Sequence, residues 1–174
     1  MKIQKIHLGT DHAGYEMKEF IKNSLTNKGY SIVDHGANIL NTNDDYPDYV
    51  KLVAESIIND DNNINLGVQP PSNENSSSLG IIFGGSGQGE AMVANRYNGI
   101  RAGVYYGDNG MQKDVNGHDL DIITSMRQHN NANVLSIGAR FITNEQALNA
   151  IMIFITTKFT NDERHLRRVE KIEK

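Results

Sequence analysis

The sequence predicts an open α/β sheet of about five parallel strands, with helices on both faces. Three observations carry that prediction. Short apolar runs that end in glycine, such as "KIHLG", "LGIIFG" and "NVLSIG", recur along the chain. Between them lie longer segments whose apolar residues repeat at helical spacing. Strand followed by helix, repeated, gives parallel strands joined by right-handed crossovers. At 174 residues the chain suits one domain over 1–174 with a real core.

The elements follow in order. "KIHLG" is the first strand. "YEMKEFIKNSLTNKG" puts Met17, Phe20, Ile21 and Leu25 on one helical face, with Gly29 as its stop. "YSIVDHG" is the second strand. "YPDYVKLVAESII" is a helix with Pro47 in its first turn and Val50, Val53, Ala54 and Ile57 on one stripe. "LGIIFG" and "EAMVANRY" form a strand and the helix after it, "IRAGVYYG" a fourth strand, and "NVLSIG" a fifth. "NEQALNAIMIFITTKF" is an apolar helix buried on more than one side. The charged helix over 161–174, "NDERHLRRVEKIEK", has Asn161 or Asp162 as its cap.

Two stretches read as inserts. Residues 59–78 are polar with two prolines, and are expected to form a surface loop with no structure of its own. Residues 107–119 are shorter and broken by glycines. No internal repeat is present.

Composition narrows the function. Lys plus Arg is 17 against 21 for Asp plus Glu, a formal charge of -4, which opposes a dedicated nucleic-acid binder. The absence of cysteine excludes disulfides, thiolate metal sites and a cysteine nucleophile. "MKIQKIHLGTDHAG" has no apolar signal region and no run is long enough to span a bilayer, so no membrane association and a cytoplasmic location are expected.

Ligands of open α/β sheets bind at the carboxyl ends of the strands, near a switch point. In "GGSGQGE", Gly84, Gly85, Gly87 and Gly89 allow positive φ and a close approach of an anion to main-chain N–H groups. The spacing is neither the dinucleotide G-x-G-x-x-G nor a P-loop. Asp108, at the end of the next strand, keeps a ribose-binding alternative open, and a bare tight turn is a third reading. Glu90 follows the loop at a first helical turn. It is either a favourable charge near a helix start or a base facing the ligand. As a base it would need burial to offset the helix dipole.

Asp11 and His12 end the first strand in "GTDHAG", as a cap and an exposed imidazole or as ligand contacts. His129 and Asn130 in "QHNNANV" precede the fifth strand, where turn chemistry is the ordinary explanation. Arg140 in "IGAR" follows that strand. In "RHLRR", Arg164 and Arg168 share a helical face with His165 beside them, as a solvated basic turn or as a phosphate clamp.

With these residues in view, the chain resembles the ribose-5-phosphate isomerase B family, which includes the galactose-6-phosphate isomerase subunits. The resemblance runs through "HLGTDHAGYEMKEFI", "DDYPDY", "GGSGQGEAMVAN", "NGIRAG", "HNNANVLSIGAR" and "RHLRRV", nearly the whole chain apart from the two inserts. It implies a Rossmann-like three-layer fold and a homodimer, or a dimer of dimers, with shared active sites. It implies aldose–ketose isomerisation of a sugar phosphate through a cis-enediolate, as in the pentose phosphate pathway, with no metal and no cofactor. One branch of the family has a cysteine base at the position of Gly84; the other has a glutamate at the position of Glu90.

Carried over by position, Glu90 moves the proton between C1 and C2. Ser86 and the amides of Gly85 to Gly89 hold the enediolate oxygens. Asp11 and His129 open the furanose ring and Asn130 orients the sugar. Tyr46 and His12 line the pocket. Arg140, Arg164 and Arg168 bind phosphate, some from the partner chain, and His165 is a further phosphate or ring-opening contact. Ribose 5-phosphate and ribulose 5-phosphate are the expected pair. The alternatives are galactose 6-phosphate, allose 6-phosphate or a tetrose phosphate as substrate, or a non-catalytic nucleotide- or sugar-phosphate-binding module.

Overall fold

The computed structural model describes residues 5–65, 78–107, 110, 112–114 and 116–173. The chain begins with β1 (Lys5–Thr10), a 3-10 turn (His12–Gly14) and α1 (Tyr15–Asn27), then β2 (Ser31–Asp34) and α2 (Tyr46–Asn65). β3 (Ser78–Gly84), α3 (Gln88–Ala94) and β4 (Ala102–Tyr105) follow. A hairpin of β5 (Gln112–Lys113) and β6 (Asp119–Leu120) leads to α4 (Ile122–Asn130), β7 (Val134–Gly138), α5 (Asn144–Thr156) and α6 (Glu163–Ile172).

Five strands form one parallel sheet in the order β2-β1-β3-β7-β4. The chain moves outward from β1 to β2, then crosses back to lay β3 on the other side of β1. The loops leaving β1 and β3 therefore start side by side and diverge, which makes the switch point that such sheets use for ligands. β7 then enters between β3 and β4, so a third loop opens beside the other two.

Both sheet faces are covered, as the apolar strands require. In β3, Leu79, Ile81 and Phe83 join Ile6, Leu8, Ile21, Leu135, Ile137 and Phe154 in the core under α1, α4 and α5. Ile82 faces the opposite way and packs with Val50, Val53, Ala54 and Ile57 of α2 and with Ala94 and Val134. Each fully buried Ile, Leu or Phe contributes about 1.5–3 kcal/mol of transfer free energy. α5 buries Ala147, Ala150, Ile151, Phe154 and Ile155, and starts with a capping box between Thr143 and Gln146. Among the described residues, no helix is long and apolar enough to cross a membrane.

Two sequence expectations need correction. The 59–78 stretch is not all loop, because α2 runs on to Asn65. Asp60 fastens that helical extension to the sheet, accepting from Lys5 Nζ at 2.7 Å and pairing with His7 Nε2 at 3.0 Å. Residues 66–77 and Asp108 lie outside the described residues. The 107–119 insert carries β5 and the first residue of β6, and within it Asp114 accepts from the amides of Asn116 and His118. Finally, "IITSMRQHN" is a helix, α4, capped by Asp121, whose side chain accepts from Thr124 N–H. His129 and Asn130 thus end a helix rather than sit in a turn before a strand.

Candidate active site

The loops after β1, β3 and β7 enclose a cleft of ≈ 480 Å³. Asp11, His12 and Ala13 come from the first loop, Gly85, Ser86, Gly89 and Glu90 from the second, and Arg140 and Phe141 from the third. Tyr46, at the start of α2, completes the lining.

Hydrogen bonds to backbone carbonyls lock these loops together. Thr10 Oγ1 donates to the Phe83 carbonyl at 3.0 Å, which ties the end of β1 to the end of β3. Ala139 N–H donates to the Gly84 carbonyl at 2.8 Å and Ser136 Oγ to the Gly87 carbonyl at 2.6 Å, which ties the glycine loop to β7. Gly87, with φ of 74°, makes the left-handed turn that starts α3. A Cβ there would also lie 3.0 Å from the Ile137 carbonyl carbon. The first-turn N–H groups of α3 have no partner within the helix, and the dipole there favours an anion.

Glu90 is almost fully buried, at 4% exposure. Burial raises its pKa above the ordinary glutamate value. A backbone hydrogen bond pulls the other way, and the negative charge of Asp11 adds to the rise. Burial thus supplies the offset to the helix dipole that a useful base needs at this position. Its carboxylate occupies the space beside Gly84, where any Cβ would overlap it.

Asp11 is buried and its Oδ1 accepts from Ala13 N–H at 2.9 Å, so the cap reading and the cleft reading both hold. The Arg140 guanidinium stands over Gly85, where a Cβ would come within 3.2 Å of its Cζ. No carboxylate pairs with Arg140 among the described residues, which leaves a cation facing the cleft. The Tyr46 hydroxyl abuts Gly89.

The other residues singled out in the sequence lie apart from this cleft in the single chain. His129 stacks on His165, with ring centroids 4.4 Å apart and planes 8° apart. Ser125 Oγ lies 3.1 Å from His129 Nδ1, and Arg164 Nη2 lies 3.3 Å from His165 Nε2. His165 is buried, which lowers its pKa, and His129 and Arg164 lower it further. Its Nδ1 has no partner among the described residues. Asn130 lines a separate cavity of ≈ 380 Å³ with Arg101, Met126 and Ile172. His129, Asn130, Arg164, His165 and Arg168 are therefore absent from the cleft lining, and one chain alone does not assemble the full set. The reason is topological: α4 and α6 pack against each other, away from the diverging β1, β3 and β7 loops.

Sequence reasoning missed Asp44 and Phe141. Asp44 accepts from His12 N–H at 2.9 Å and from the His12 ring at 2.7 Å. Its one sequence signal was its place in "DDYPDY". Asp11, His12 and Asp44 bring possible metal-donor atoms within 4.8 Å of one another, though the His12 and Asp44 atoms already bond to each other.

The chain matches the Ribose/Galactose Isomerase family model over residues 6–172. It belongs to that family. It is 32% identical over 170 residues to ribose-5-phosphate isomerase B of Mycobacterium tuberculosis (strain H37Rv), covering 98% of this chain and 88% of that protein. It is 34% identical over 173 residues to a putative sugar phosphate isomerase of Rickettsia prowazekii, covering 99% and 100%. Among solved structures, the ribose 5-phosphate isomerase of Thermotoga maritima superposes with a TM-score of 0.76 at 35% identity, covering 98% of this chain and 97% of that one. Ribose-5-phosphate isomerase B of Mycoplasma genitalium, solved with bound ribulose-5-phosphate, gives 0.76 at 31% identity, covering 97% and 93%. The family is that of the sequence resemblance, and its members share the parallel-sheet fold described above.

Proposed function

We propose that this protein interconverts ribose 5-phosphate and ribulose 5-phosphate, with Glu90 as the base. The observation that carries this is a buried carboxylate of raised pKa, seated where the glycine loop enters a helix, across the cleft from an arginine that has no carboxylate partner among the described residues. A binding module would gain nothing from burying that carboxylate, which costs free energy. Family relatives matched over nearly the whole chain carry the isomerase name, and one was solved with bound ribulose-5-phosphate.

The chemistry follows from the positions. Once the sugar ring is open, Glu90 takes the C2 proton of the aldose, and the C1 carbonyl oxygen gains the developing negative charge. Ser86 and the amides of Gly85 to Gly89 stabilise that oxygen. A proton moves from the C2 hydroxyl to the C1 oxygen, and Glu90 returns its proton to C1 to give the ketose. Arg140 holds the phosphate end, and His12 and Tyr46 bound the sugar.

The remaining residues act from a second subunit. In a homodimer, His129 of one protomer opens the ring with Asp11 of the other, Asn130 orients the sugar, and Arg164, His165 and Arg168 add to the phosphate site. Support comes from the incomplete cleft of the single chain: acid–base residues for proton transfer line it, whereas His129 and the α6 arginines do not.

The test is an NMR assay of ribose 5-phosphate in heavy water. Ribulose 5-phosphate should form, with deuterium entering at the carbon that exchanges its proton. Clean protein with neither turnover nor exchange would reject the proposal. Allose 6-phosphate and galactose 6-phosphate in parallel determine the preferred chain length.

A further inference from the structure

We propose that Asp44 is a positioning residue for this reaction, fixing which ring nitrogen of His12 is offered to the substrate. The proposal rests on the reading above that His12 contacts the sugar phosphate.

Asp44 lies on the long connection from β2 to α2, which passes beside the end of β1. Its Oδ1 accepts two bonds from one residue, the His12 main-chain N–H at 2.9 Å and the His12 Nδ1 at 2.7 Å. The first bond fixes the His12 backbone and the second fixes the ring. The Asp44 side chain is only 6% exposed, while that of His12 is 30% exposed and lines the cleft. The carboxyl of Asp44 is held below the ordinary aspartate range: burial opposes this, but the bonds from the His12 amide and ring outweigh it. Tyr49, from α2, lowers the Asp44 pKa further. Asp44 is therefore ionised near neutrality and can only accept.

An acceptor-only partner has a defined consequence. Nδ1 of His12 must carry the proton, so Nε2 is the ring atom left for the ligand. Without Asp44, the imidazole would rotate and exchange tautomers, and the polar contact would lose its fixed direction. The other groups near His12 do not supply this hold. Asp11 Oδ2 stands 4.0 Å from Nδ1, too far for a hydrogen bond, and its Oδ1 is engaged by Ala13.

A kinetic cycle with NMR tests the assignment, using D44A, H12A, the double variant and D44N on ribose 5-phosphate. D44A should raise KM about 10-fold, the size expected for loss of one charge-assisted hydrogen bond, with kcat within about 3-fold of the parent. In the H12A background, adding D44A should change KM by less than about 2-fold, because the two act as a unit. D44N keeps an oxygen acceptor and should recover most of the loss. Imidazole ¹⁵N shifts at pH 8.5 should show His12 protonated on Nδ1 in the parent and in D44N, and shifted toward Nε2–H in D44A. A D44A effect of equal size with and without His12, or an Nε2–H tautomer in the parent, would overturn the proposal. H12A with unchanged KM would remove His12 from the substrate site and take the proposal with it. A KM that responds to H12A but not to D44A would overturn the positioning role alone.

Discussion

The Glu90 carboxylate fills the space that a side chain on residue 84 would need, so the two positions cannot both carry working groups. Gly84 closes β3 and Glu90 lies in the first turn of α3, and the loop between them folds the carboxylate back over the strand end. Gly84→Ala should therefore displace the carboxylate and lower kcat by about 10²-fold or more. Circular dichroism should show the fold intact. Retained turnover in G84A would place the working carboxylate elsewhere.

Arg140 should act on the phosphate and not on the chemistry. Arg140→Ala should raise KM for ribose 5-phosphate by about 10- to 100-fold, the range for a charge-assisted contact. Slow turnover of unphosphorylated ribose should change little. An equal loss on both substrates would point to a structural role on the glycine loop instead.

Subunit sharing predicts complementation between inactive variants. E90Q and H129A homodimers should each be nearly inactive. Mixed and reassembled, they should recover up to about a quarter of wild-type activity, because one of the two sites in each heterodimer then has both residues. If Glu90 and His129 served the same site from one chain, mixing would recover nothing.

Buried histidines should make stability fall on mild acidification. His7 bridges His35, at 2.9 Å, and Asp60, at 3.0 Å. Burial lowers the pKa of both His7 and His35, with their mutual repulsion adding for His35. A folded pKa below the unfolded value of 6.5 means that the unfolded chain binds protons first. Their contribution is fully present above pH 6.5 and is lost as pH falls through the folded values. Asp61, raised by burial to about 6, acts in the opposite direction but equally in parent and variant. Urea denaturation at pH 7.5 and 5.5 should show a smaller stability difference for His35→Gln than for the parent. An equal or larger difference would contradict the protonation argument.

How much of this was legible beforehand depends on what each segment reveals locally. β3 and α5 announce themselves because their apolar residues are dense and well bounded. α4 does not: Ile122, Ile123 and Met126 are its few apolar residues, and its cap Asp121 closes a glycine-broken stretch. The end of α2 was hidden by its Asn and Asp content, which a tertiary anchor at Asp60 overrides. At the site, Asp11, Glu90 and Arg140 were readable because strand-end loops are where such sheets bind ligands. The His129–His165 stack and the Asp44–His12 bonds join residues far apart in sequence, and no local pattern encodes them.

The base is the central claim, and Glu90→Gln in heavy water tests it most directly. The substitution keeps the size of the side chain and removes its proton affinity. Ribose 5-phosphate should still bind with a Kd within a few-fold of the parent's KM, while turnover and deuterium incorporation both fall by about 10²–10⁴-fold. Deuterium incorporation at the parent's rate in E90Q would contradict Glu90 as the base.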